Sequence, residues 1–347
     1  MKAAVFRGNQ VMEVTQVPDP VCPDGGLVLR VEACGICGSD MRTYRQGTSH
    51  PYVGKVIGHE VAGVVIEASP LQSSFKVGDA LVLDPVVPCG HCYYCVRGQQ
   101  NLCENMAGLS AGRTGGYAQK MAIPAEAVTY GCCIPLPPGL AFHYAIIAET
   151  LSAGTKAHEM LGTGPGDTVV VIGAGPLGNM HVEMALLRGA AKVIQTERIQ
   201  NRLDLAREFG ASVLINSETE DPVKRVLEET GGRGADIVIN AAPSTQAAAQ
   251  SVLMARKGGK VMWFAGLPPS DPIVHLDGNV VHYRDLTVYG TIAYTPRQFQ
   301  LSVELVGSGK INPRRLVTDT VPLEQINEGF QKALAGQALK VVVTPNS

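Results

Sequence analysis

Aromatic side chains and net charge are both scarce in this chain of 347 residues. Only 5% of the residues are Phe, Trp or Tyr, and the formal net charge is −2 at pH 7. Without a surplus of basic residues, there is no electrostatic argument for a nucleic-acid or anionic-membrane partner. The few aromatics also leave little material for an apolar substrate pocket, which favours a polar substrate.

Long hydrophobic runs are missing as well. The first residues, Met-Lys-Ala-Ala-Val-Phe, lack the apolar run of a secretory signal peptide. An uncharged stretch at 131–148 contains Pro135, Pro137 and Pro138, which exclude an ordinary membrane-spanning helix. Nine cysteines, an odd number, do not suggest a disulfide framework in a chain of this kind. We therefore expect a cytoplasmic protein without a membrane partner.

The chain divides by its residue pattern into two folding regions and a tail. With 45% hydrophobic residues it is long enough to form two cores. Residues 1–150 contain short β-rich runs broken by Gly and Pro, without a long helical period. The tail, 294–347, has one or two helices and a final strand at Leu339–Thr344. The strands predicted in the first region are Ala3–Phe6, Leu27–Ala33, Ala62–Glu67 and Ala80–Leu83.

Residues 151–293 alternate strand-like and helix-like segments. Continuous Val and Ile runs separated by helices indicate a parallel sheet covered on both faces, and six strands make a complete dinucleotide-binding fold. The predicted strands are Thr168–Ile172, Lys192–Thr196, Val213–Ile215, Asp236–Asn240, Lys260–Ala265 and Leu286–Gly290. The predicted helices are Pro176–Arg188, Ile199–Glu208, Pro222–Thr230 and Thr245–Ala255.

A glycine motif links the first strand of this region to its first helix. Such a motif is weak evidence alone, but its place between strand and helix is the context that phosphate binding requires. Gly173 permits a tight turn, Gly175 lets the backbone approach a pyrophosphate, and Gly178 allows close packing of helix on strand. An ordinary glycine-rich turn is the alternative. The motif reads Gly173-Ala174-Gly175-Pro176-Leu177-Gly178.

Glu197 ends the second strand of the same region, 19 residues beyond Gly178. A carboxylate there accepts hydrogen bonds from ribose hydroxyls and repels a 2′-phosphate, which favours NAD over NADP. Arg198 could serve a phosphate instead, and Arg202 is a further candidate for contact with the dinucleotide. A solvated residue at a strand end is the alternative for Glu197.

Four cysteines lie within fifteen residues: Cys89, Cys92, Cys95 and Cys103. Their C-x2-C-x2-C-x7-C spacing is typical of a closed tetrahedral zinc site with a structural role. An iron–sulfur cluster also uses four thiolates, but its usual spacing and following proline are absent. Unrelated buried cysteines are the remaining alternative.

A second set of residues can form a catalytic zinc site. Cys37 and His59 supply a thiolate and an imidazole, and Glu60 or Glu149 can supply a carboxylate. Three protein ligands and one open position are the requirement for such a site. The open position would hold a substrate hydroxyl, whose pKa the metal lowers until it can release hydride. Each residue alone is more commonly structural.

Two neighbours of Cys37 extend this hypothesis. Asp40 is placed to accept a hydrogen bond from the His59 imidazole and so to orient it. Ser39 can accept the proton of the alcohol and pass it outward.

Together, these motifs resemble the zinc-containing medium-chain dehydrogenases, closer to the sorbitol, galactitol-phosphate and threonine dehydrogenase branch than to the short-alcohol branch. The resemblance covers essentially the whole chain. It implies a GroES-like β-rich catalytic domain, residues 1–150 completed by 294–347, and a Rossmann NAD-binding domain, 151–293. It also implies a homodimer or homotetramer. The motifs are Cys37-Gly-Ser-Asp40, Gly58-His-Glu60, the four-cysteine segment, Gly115-Gly116-Tyr117, Glu149-x-x-Ser152 and Gly173-x-Gly-x-x-Gly178.

The resemblance also assigns roles to individual residues. Cys37 and His59 match the ligands of the catalytic zinc. Glu60 and Glu149 match two carboxylates that can each complete the site, directly or through water, and the sequence does not choose between them. Ser39 matches the hydroxyl at the head of the proton relay.

Three positions depart from the family pattern. Arg42 stands where many relatives have histidine, which suggests another proton route or contact with an anionic substrate. Thr150 stands where relatives usually have proline, beside Glu149. Ala293-Tyr294 replaces an Arg-Tyr pair that sorbitol dehydrogenases often carry, so the substrate need not be sorbitol.

We predict a zinc-dependent oxidoreductase that transfers hydride between NAD+ and a secondary alcohol of a polyol, sugar or sugar acid. An amino-alcohol dehydrogenase of the threonine or amino-cyclitol kind is an alternative. A nucleotide-binding regulatory protein without turnover is another, although two metal sites and Ser39 argue against it. Polar side chains that could contact the substrate, if they are not simply surface or loop structure, are Arg42, Tyr44, Arg45, Arg113 and Tyr294.

Overall fold

The computed structural model describes residues 1–109 and 115–347. Within those ranges, no helix combines the length and apolarity needed to span a lipid bilayer. The strands, numbered along the chain, are β1 (Lys2–Gly8), β2 (Val11–Gln16), β3 (Leu27–Gly35), β4 (Glu60–Ala68), β5 (Ala80–Leu83), β6 (Val86–Val87), β7 (Ala107–Gly108), β8 (Lys120–Ile123), β9 (Cys133–Pro135), β10 (Thr168–Ile172), β11 (Lys192–Glu197), β12 (Val213–Asn216), β13 (Ala235–Asn240), β14 (Ala255–Trp263), β15 (Thr287–Gly290), β16 (Val317–Pro322) and β17 (Lys340–Thr344). The helices are α1 (Gly38–Tyr44), α2 (Ala125–Thr129), α3 (Phe142–Ala145), α4 (Ile147–Leu161), α5 (Pro176–Leu187), α6 (Gln200–Ala206), α7 (Pro222–Glu229), α8 (Thr245–Met254), α9 (Gly278–Tyr283), α10 (Pro296–Gly307) and α11 (Ile326–Leu334).

The chain forms two compact units. Unit 1 consists of Met1–Ser152 and Ala293–Ser347, and unit 2 consists of Ala153–Ile292. The first division falls inside α4, so one helix carries the chain from unit 1 into unit 2.

Unit 1 is built on a seven-stranded sheet. Its main order is β16-β17-β3-β4-β5-β9, and β8 also pairs with β3. The two strands from the C-terminal segment pair in parallel, and β17 then joins β3 antiparallel at Val342↔Gly35. The sheet therefore needs both chain segments of the unit.

β3 is buried along most of its length. Leu27, Leu29 and Val31 are completely buried and Val28 is 2% exposed, whereas Arg30 is exposed. A strand that is buried on both faces reads as a nearly continuous apolar run, here Leu-Val-Leu-Arg-Val. The core of unit 1 continues into α11, where Phe330 is also fully buried.

Unit 2 contains a six-stranded parallel sheet in the order β12-β11-β10-β13-β14-β15. In sequence order within the unit this is 3-2-1-4-5-6, the strand order of dinucleotide-binding folds. Val170 of the central strand β10 lies between Ile194 and Val238 in the register, and all three are fully buried. The doubly wound fold predicted from the Val and Ile runs is confirmed.

Some elements differ from the sequence prediction. β14 begins at Ala255 rather than Lys260, because Ala255 pairs with Ala235 across a bulge although the intervening segment is polar and glycine-rich. The long helix α4 was not predicted, since its Thr, Ser and Gly residues are weak helix formers. β16, in the tail, was also missed; its sequence, Val-Thr-Asp-Thr-Val-Pro, is largely polar.

Candidate active site

Cys37 lies where β3 gives way to α1. It is the N-cap residue of that helix, and its backbone N–H donates to Asp40 Oδ2 at 3.1 Å. The Cys37 thiol is half-buried and the Asp40 carboxylate is buried, while Ser39 in the first turn is exposed. A capping arrangement thus fixes the backbone that carries the thiol.

His59 immediately precedes β4, which begins at Glu60 and lies next to β3 in the sheet. The preceding Gly58 has φ +95°, and a Cβ there would approach Cys34 Sγ to 2.8 Å, so both conformation and space require glycine. The ligand atoms of Cys37, His59 and Glu60 all lie within 4.8 Å of one another. Adjacent strands therefore bring together a thiol, an imidazole and a carboxylate.

Asp40 connects this group to the core of unit 1. Its Oδ1 lies 3.4 Å from His59 Nδ1, and its Oδ2 accepts a hydrogen bond from the Tyr117 hydroxyl at 2.9 Å. Burial alone would raise the pKa of Asp40, but the neighbouring imidazole lowers it. Burial and the Asp40 charge raise the pKa of Tyr117 well above its usual value, so its hydroxyl stays a donor. Asp40 is thus held as a carboxylate beside His59.

Glu60 is completely buried and has two strong partners. Lys340 Nζ lies 2.5 Å from its Oε1 and 2.8 Å from its Oε2, and the Thr150 hydroxyl donates to Oε1 at 3.1 Å. Burial opposes the charge of Lys340, but the Glu60 carboxylate raises the pKa of this lysine above its usual value. The hydroxyl at the position where relatives usually have proline therefore contacts one of the candidate ligands.

Glu149, the other candidate carboxylate, has a different environment. It lies half-buried in the first turn of α4, where its Oε1 accepts a hydrogen bond from the Tyr294 hydroxyl at 3.0 Å. Burial raises its pKa above the usual value. Among the described residues, Glu149 is not part of the group formed by Cys37, His59 and Glu60. In this structure the nearer carboxylate is that of Glu60.

The donor set formed by Cys37, His59 and Glu60 suits zinc. Sulfur, nitrogen and oxygen ligands from three residues, with one position left for a small molecule, are the composition of catalytic zinc sites. The carboxylate carries its own hydrogen bonds and His59 is oriented by Asp40, as metal ligands in proteins usually are. The residues therefore fit the metal.

The four-cysteine segment forms a separate group between β6 and β7. Sγ atoms lie 4.0 Å apart for Cys89 and Cys95 and 3.9 Å apart for Cys92 and Cys103. Four sulfurs tetrahedrally bound to zinc would be separated by about 3.8 Å. Backbone N–H groups lower the pKa of Cys89 and Cys92, whereas burial raises the pKa of Cys95 and Cys103, so the fit to zinc rests on the sulfur positions. These side chains therefore fit a closed zinc site.

The loop around this group is fixed by its surroundings. β6 and β7 pair through Val86↔Gly108 and bring the two ends of the loop together. The Tyr130 hydroxyl donates to the Cys89 carbonyl at 2.9 Å, and a Cβ on Gly90 would overlap the Tyr130 ring. His91 is exposed, and its Nδ1 lies 2.7 Å from the Cys89 carbonyl. His91 thus lies outside the group.

In unit 2, the glycine motif has the shape needed to bind a dinucleotide. Gly173 has φ +106°, and a Cβ on Gly178 would overlap the Gly173 carbonyl, so the helix can approach the strand only with glycine there. A Cβ on Gly175, the N-cap of α5, would meet no atom within 4 Å. Pro176 and Leu177 begin α5, whose N-terminus favours an anion. The residues fit a pyrophosphate.

Glu197 is buried at the end of β11, where backbone groups surround its carboxylate. Oε2 accepts from Ala174 N–H at 2.9 Å, and Oε1 accepts from the N–H groups of Arg198 and Ile199 at 2.8 and 3.0 Å. The side chain of Arg198 is exposed and that of Arg202 is half-buried. The carboxylate therefore ties the phosphate loop to the second strand, a role that the sequence did not indicate.

Profiles of two protein families match this chain. Residues 23–137 match the alcohol dehydrogenase GroES-like domain, and residues 176–308 match the family described as zinc-binding dehydrogenase. The sorbitol dehydrogenase of Bacillus subtilis (strain 168) is 31% identical over 352 residues, covering 100% of this chain and 98% of that protein. The chain belongs to the zinc-dependent medium-chain dehydrogenases.

Other relatives of this dehydrogenase are similar over their whole length. The L-threonine 3-dehydrogenase of the same Bacillus subtilis strain is 33% identical over 96% of this chain and 94% of that protein. The solved structure of the alcohol dehydrogenase TADH from Thermus sp. ATN1 has a TM-score of 0.90 at 33% identity, covering 99% of both chains. The family resemblance and the combination of a GroES-like and a Rossmann fold are confirmed, and zinc and NAD(H) are the expected cofactors.

The other side chains predicted to contact the substrate lie in different environments. Tyr44 is 1% exposed, stacks on Phe330 and donates to Asn327, which favours the alternative that it is part of the structure. Arg42 and Arg45 are exposed. Arg113 lies outside the described residues, and Tyr294 is buried against Glu149.

Sequence reasoning missed three residues in or near the site. Lys340 lies far from the motifs in sequence, Asp84 lies five residues before Cys89 but was not singled out, and Tyr117 was noted only as part of a motif. Asp84 is completely buried, its Oδ2 has no hydrogen-bond partner in the part of the chain that the structure describes, and burial raises its pKa well above the usual value. A lysine in the apolar run of β17 was the one available signal for Lys340.

Proposed function

We propose that this dehydrogenase oxidises a secondary alcohol of a polyol, sugar or sugar acid with NAD+, and that it catalyses the reverse reduction. The observation that carries the proposal is the convergence of Cys37, His59 and Glu60, whose ligand atoms lie within 4.8 Å of one another. These three residues would hold the catalytic zinc, and Glu149 would be the carboxylate available to replace Glu60 in another state. Bound zinc supplies a Lewis acid that lowers the pKa of a substrate hydroxyl.

Neighbouring side chains would prepare the site for proton transfer. Ser39, exposed in the first turn of α1, would accept the proton of the alcohol and pass it to solvent. Asp40 would keep the His59 imidazole in one orientation, and Tyr117 would in turn fix Asp40. Lys340 would balance the charge of Glu60.

The catalytic site and the NAD-binding site would belong to different domains. Residues 1–150 with 294–347 would form the catalytic domain, in which Cys89, Cys92, Cys95 and Cys103 hold a structural zinc. Residues 151–293 would form the NAD-binding domain. There Gly173, Gly175, Pro176, Leu177 and Gly178 would surround the pyrophosphate, with Glu197, Arg198 and Arg202 at the adenosine ribose. The carboxylate of Glu197 supports NAD over NADP, because it would repel a 2′-phosphate.

The test is a screen of NAD+ reduction after zinc removal and restoration. Protein stripped by a chelator and protein reloaded with zinc are compared across polyols, sugar acids, sugar phosphates and amino alcohols, with NADH formation as readout. Zinc-dependent turnover of a polyol, sugar or sugar acid supports the proposal. NADH binding without turnover of any of these compounds would indicate the regulatory alternative.

A second candidate is an amino-alcohol dehydrogenase. The observation in its favour is the 33% identity to an L-threonine 3-dehydrogenase. It uses the same metal chemistry, so the screen distinguishes the two by substrate: turnover restricted to amino alcohols would replace the first candidate with this one.

We also propose a homodimer or homotetramer. β15 is an edge strand of the unit 2 sheet, and the side chains of Tyr283 and Ile292 near it are 76% and 65% exposed. Exposed apolar groups at a strand edge support pairing with another copy. Light scattering measures the mass of the particle in solution, and a monomer would contradict the proposed oligomer.

The cytoplasmic location expected from the sequence stays a prediction.

A further inference from the structure

Gln195 is a fully buried amide in the middle of β11. Parallel strands covered on both faces usually carry apolar residues at such positions. Its Nε2 donates to the Gly173 carbonyl at 3.1 Å and to Asn179 Oδ1 at 2.9 Å. One side chain thus links the second strand to the phosphate loop and to the helix that follows it.

Asn179 continues this connection from the first turns of α5. It is completely buried, and its Nδ2 donates to the Ala174 carbonyl at 3.4 Å. The N–H of Ala174 donates to Glu197 Oε2 at 2.9 Å. Both carbonyls and the intervening N–H of residues 173–174 are therefore bound by side chains of unit 2.

The orientation of these carbonyls matters for anion binding. An anion at a helix N-terminus is attracted by N–H groups and repelled by carbonyl oxygens. Because the Gly173 and Ala174 carbonyls accept hydrogen bonds from buried amides, they point into unit 2. The backbone near Gly175 is left open, since a Cβ there would meet nothing within 4 Å.

The amide of Gln195, which orients the Gly173 carbonyl, also has a cost in folding stability. Its Oε1 is buried and has no hydrogen-bond partner in the described portion of the chain. A buried acceptor without a partner destabilises the folded state, and an apolar residue of similar shape would avoid this penalty. A stability-reducing group beside a ligand loop is typical of a functional constraint.

We propose that Gln195 and Asn179 are positioning residues that preorganise the glycine loop for the pyrophosphate of the dinucleotide. The inference rests on the proposed role of unit 2 in binding NAD(H). A loop that is already in its bound conformation loses less entropy when the ligand binds, and so binds it more tightly. Neither side chain needs to touch the dinucleotide.

The experiment measures NADH affinity and thermal stability in the same variants of the zinc-loaded full chain. Gln195→Met removes both hydrogen bonds of Nε2 and keeps an unbranched side chain. Asn179→Leu removes the acceptor of the Gln195–Asn179 hydrogen bond and the donor to the Ala174 carbonyl. Gln246→Met, at an exposed position of α8, is the matched control. NADH binding is followed by fluorescence, and stability by melting without NADH.

For Gln195→Met we expect about tenfold weaker NADH binding, because the loop would then lose conformational entropy when the dinucleotide binds. The variant loses the unpartnered Oε1 but also leaves the Gly173 carbonyl and Asn179 Oδ1 without this donor, so the two effects oppose each other and the melting temperature should change by only about a few degrees. KM for NAD+ should rise by a similar factor, whereas kcat at saturating NAD+ should stay within about twofold. Because both side chains act through one connection, the double variant with Asn179→Leu should bind NADH about as weakly as either single variant.

Three results would overturn the inference. One is wild-type NADH affinity in both single variants. Another is weaker binding that is accompanied by an equivalent loss of stability, which indicates a structural role only. Failure of the wild-type protein itself to bind NADH would reject the proposed function of unit 2, and the inference with it, whereas normal wild-type binding with unaffected variants would reject the inference alone.

Discussion

Lys340 and Glu60 form a buried ion pair in which the ammonium lies 2.5 and 2.8 Å from the two carboxylate oxygens. Lys340 is 3% exposed and Glu60 is completely buried. Removing one partner of such a pair leaves an uncompensated charge in the interior. The pair therefore ties the stability of unit 1 to the candidate metal site.

Replacement of Lys340 should destabilise the protein strongly. In protein without zinc at the Cys37–His59–Glu60 group, we expect Lys340→Met to lose about 3–5 kcal/mol in the free energy of unfolding, because Glu60 keeps its burial and loses its counter-charge. Urea denaturation measures this. Lys332→Met is the control: its pair with Asp319 is partly exposed, with 43% and 26% of the two side chains accessible, and exposed pairs contribute about 0–1 kcal/mol. Equal stability of the two variants would contradict the role assigned to Lys340.

Loss of the Tyr117 hydroxyl should weaken zinc binding without disturbing the fold. Tyr117→Phe removes one donor from Asp40 and so loosens the orientation of His59. Partners of metal ligands typically contribute 10–100-fold to affinity, and for this indirect contact we expect about tenfold. Competition with a chromophoric chelator measures the affinity. Tyr44→Phe removes a comparable hydroxyl bonded to Asn327 and should leave zinc binding unchanged.

Replacement of Cys37 or His59 should abolish hydride transfer but keep the dinucleotide site. Cys37→Ala and His59→Ala each remove a proposed ligand of the catalytic zinc, so we expect one zinc ion per chain instead of two and no turnover. NADH binding, which depends on unit 2, should stay largely intact. Metal analysis, activity and NADH fluorescence check the three outcomes. Cys22→Ala is the matched control, and turnover in either ligand variant would refute the assignment.

Replacement of Cys103 should affect folding before activity. A structural zinc contributes folding free energy, so Cys103→Ser should reduce the soluble yield and the melting temperature. Cys22→Ser, outside the four-cysteine group, provides the comparison. A soluble and normally stable Cys103→Ser protein that lacks one zinc ion would show that this metal has no structural role.

Acid should destabilise unit 2 through two buried histidines. His158 Nε2 lies 3.2 Å from His181 Nδ1, and burial lowers the pKa of His181 from 6.5 to about 3 and that of His158 well below 6.5. Below pH 6.5 the unfolded chain binds protons that the folded chain does not. The stability is thus present at neutral pH and decreases as the pH falls, by about 1.4 kcal/mol per pH unit for each histidine.

Replacing one of these histidines should reduce that dependence. In His181→Gln, the slope of unfolding free energy against pH between about 6 and 4 should fall by the contribution of one proton. Urea denaturation at several pH values measures the slope. His282→Gln, at an exposed position, should retain the wild-type slope. An unchanged slope in His181→Gln would mean that this imidazole is not the group responsible.

The parts of the fold that follow from local pattern were predictable. The strand Thr168–Ile172 was predicted with its observed bounds, because a short continuous run of Val and Ile between turn residues strongly favours a buried strand. The helix Ile147–Leu161 was not, because its stability comes from burial of residues such as Leu151 and Ala157 rather than from helix propensity.

The candidate site was predictable only in part, for a similar reason. Motif spacing identified Cys37 and His59, but the choice between Glu60 and Glu149 depended on partners that are distant in sequence. Lys340 is 280 residues from Glu60, and Tyr294 is 145 residues from Glu149. Contacts of this range leave no periodicity in a single sequence.

The two-segment composition of unit 1 has a consequence for biosynthesis. Domains generally fold as units while the ribosome extends the chain. Unit 2 is one continuous segment, so it can fold as soon as that segment has been translated. β3 must wait for β17, its partner from the second segment, to be synthesised. The unit whose first segment is translated earliest is thus completed last, when β17 closes that edge of its sheet.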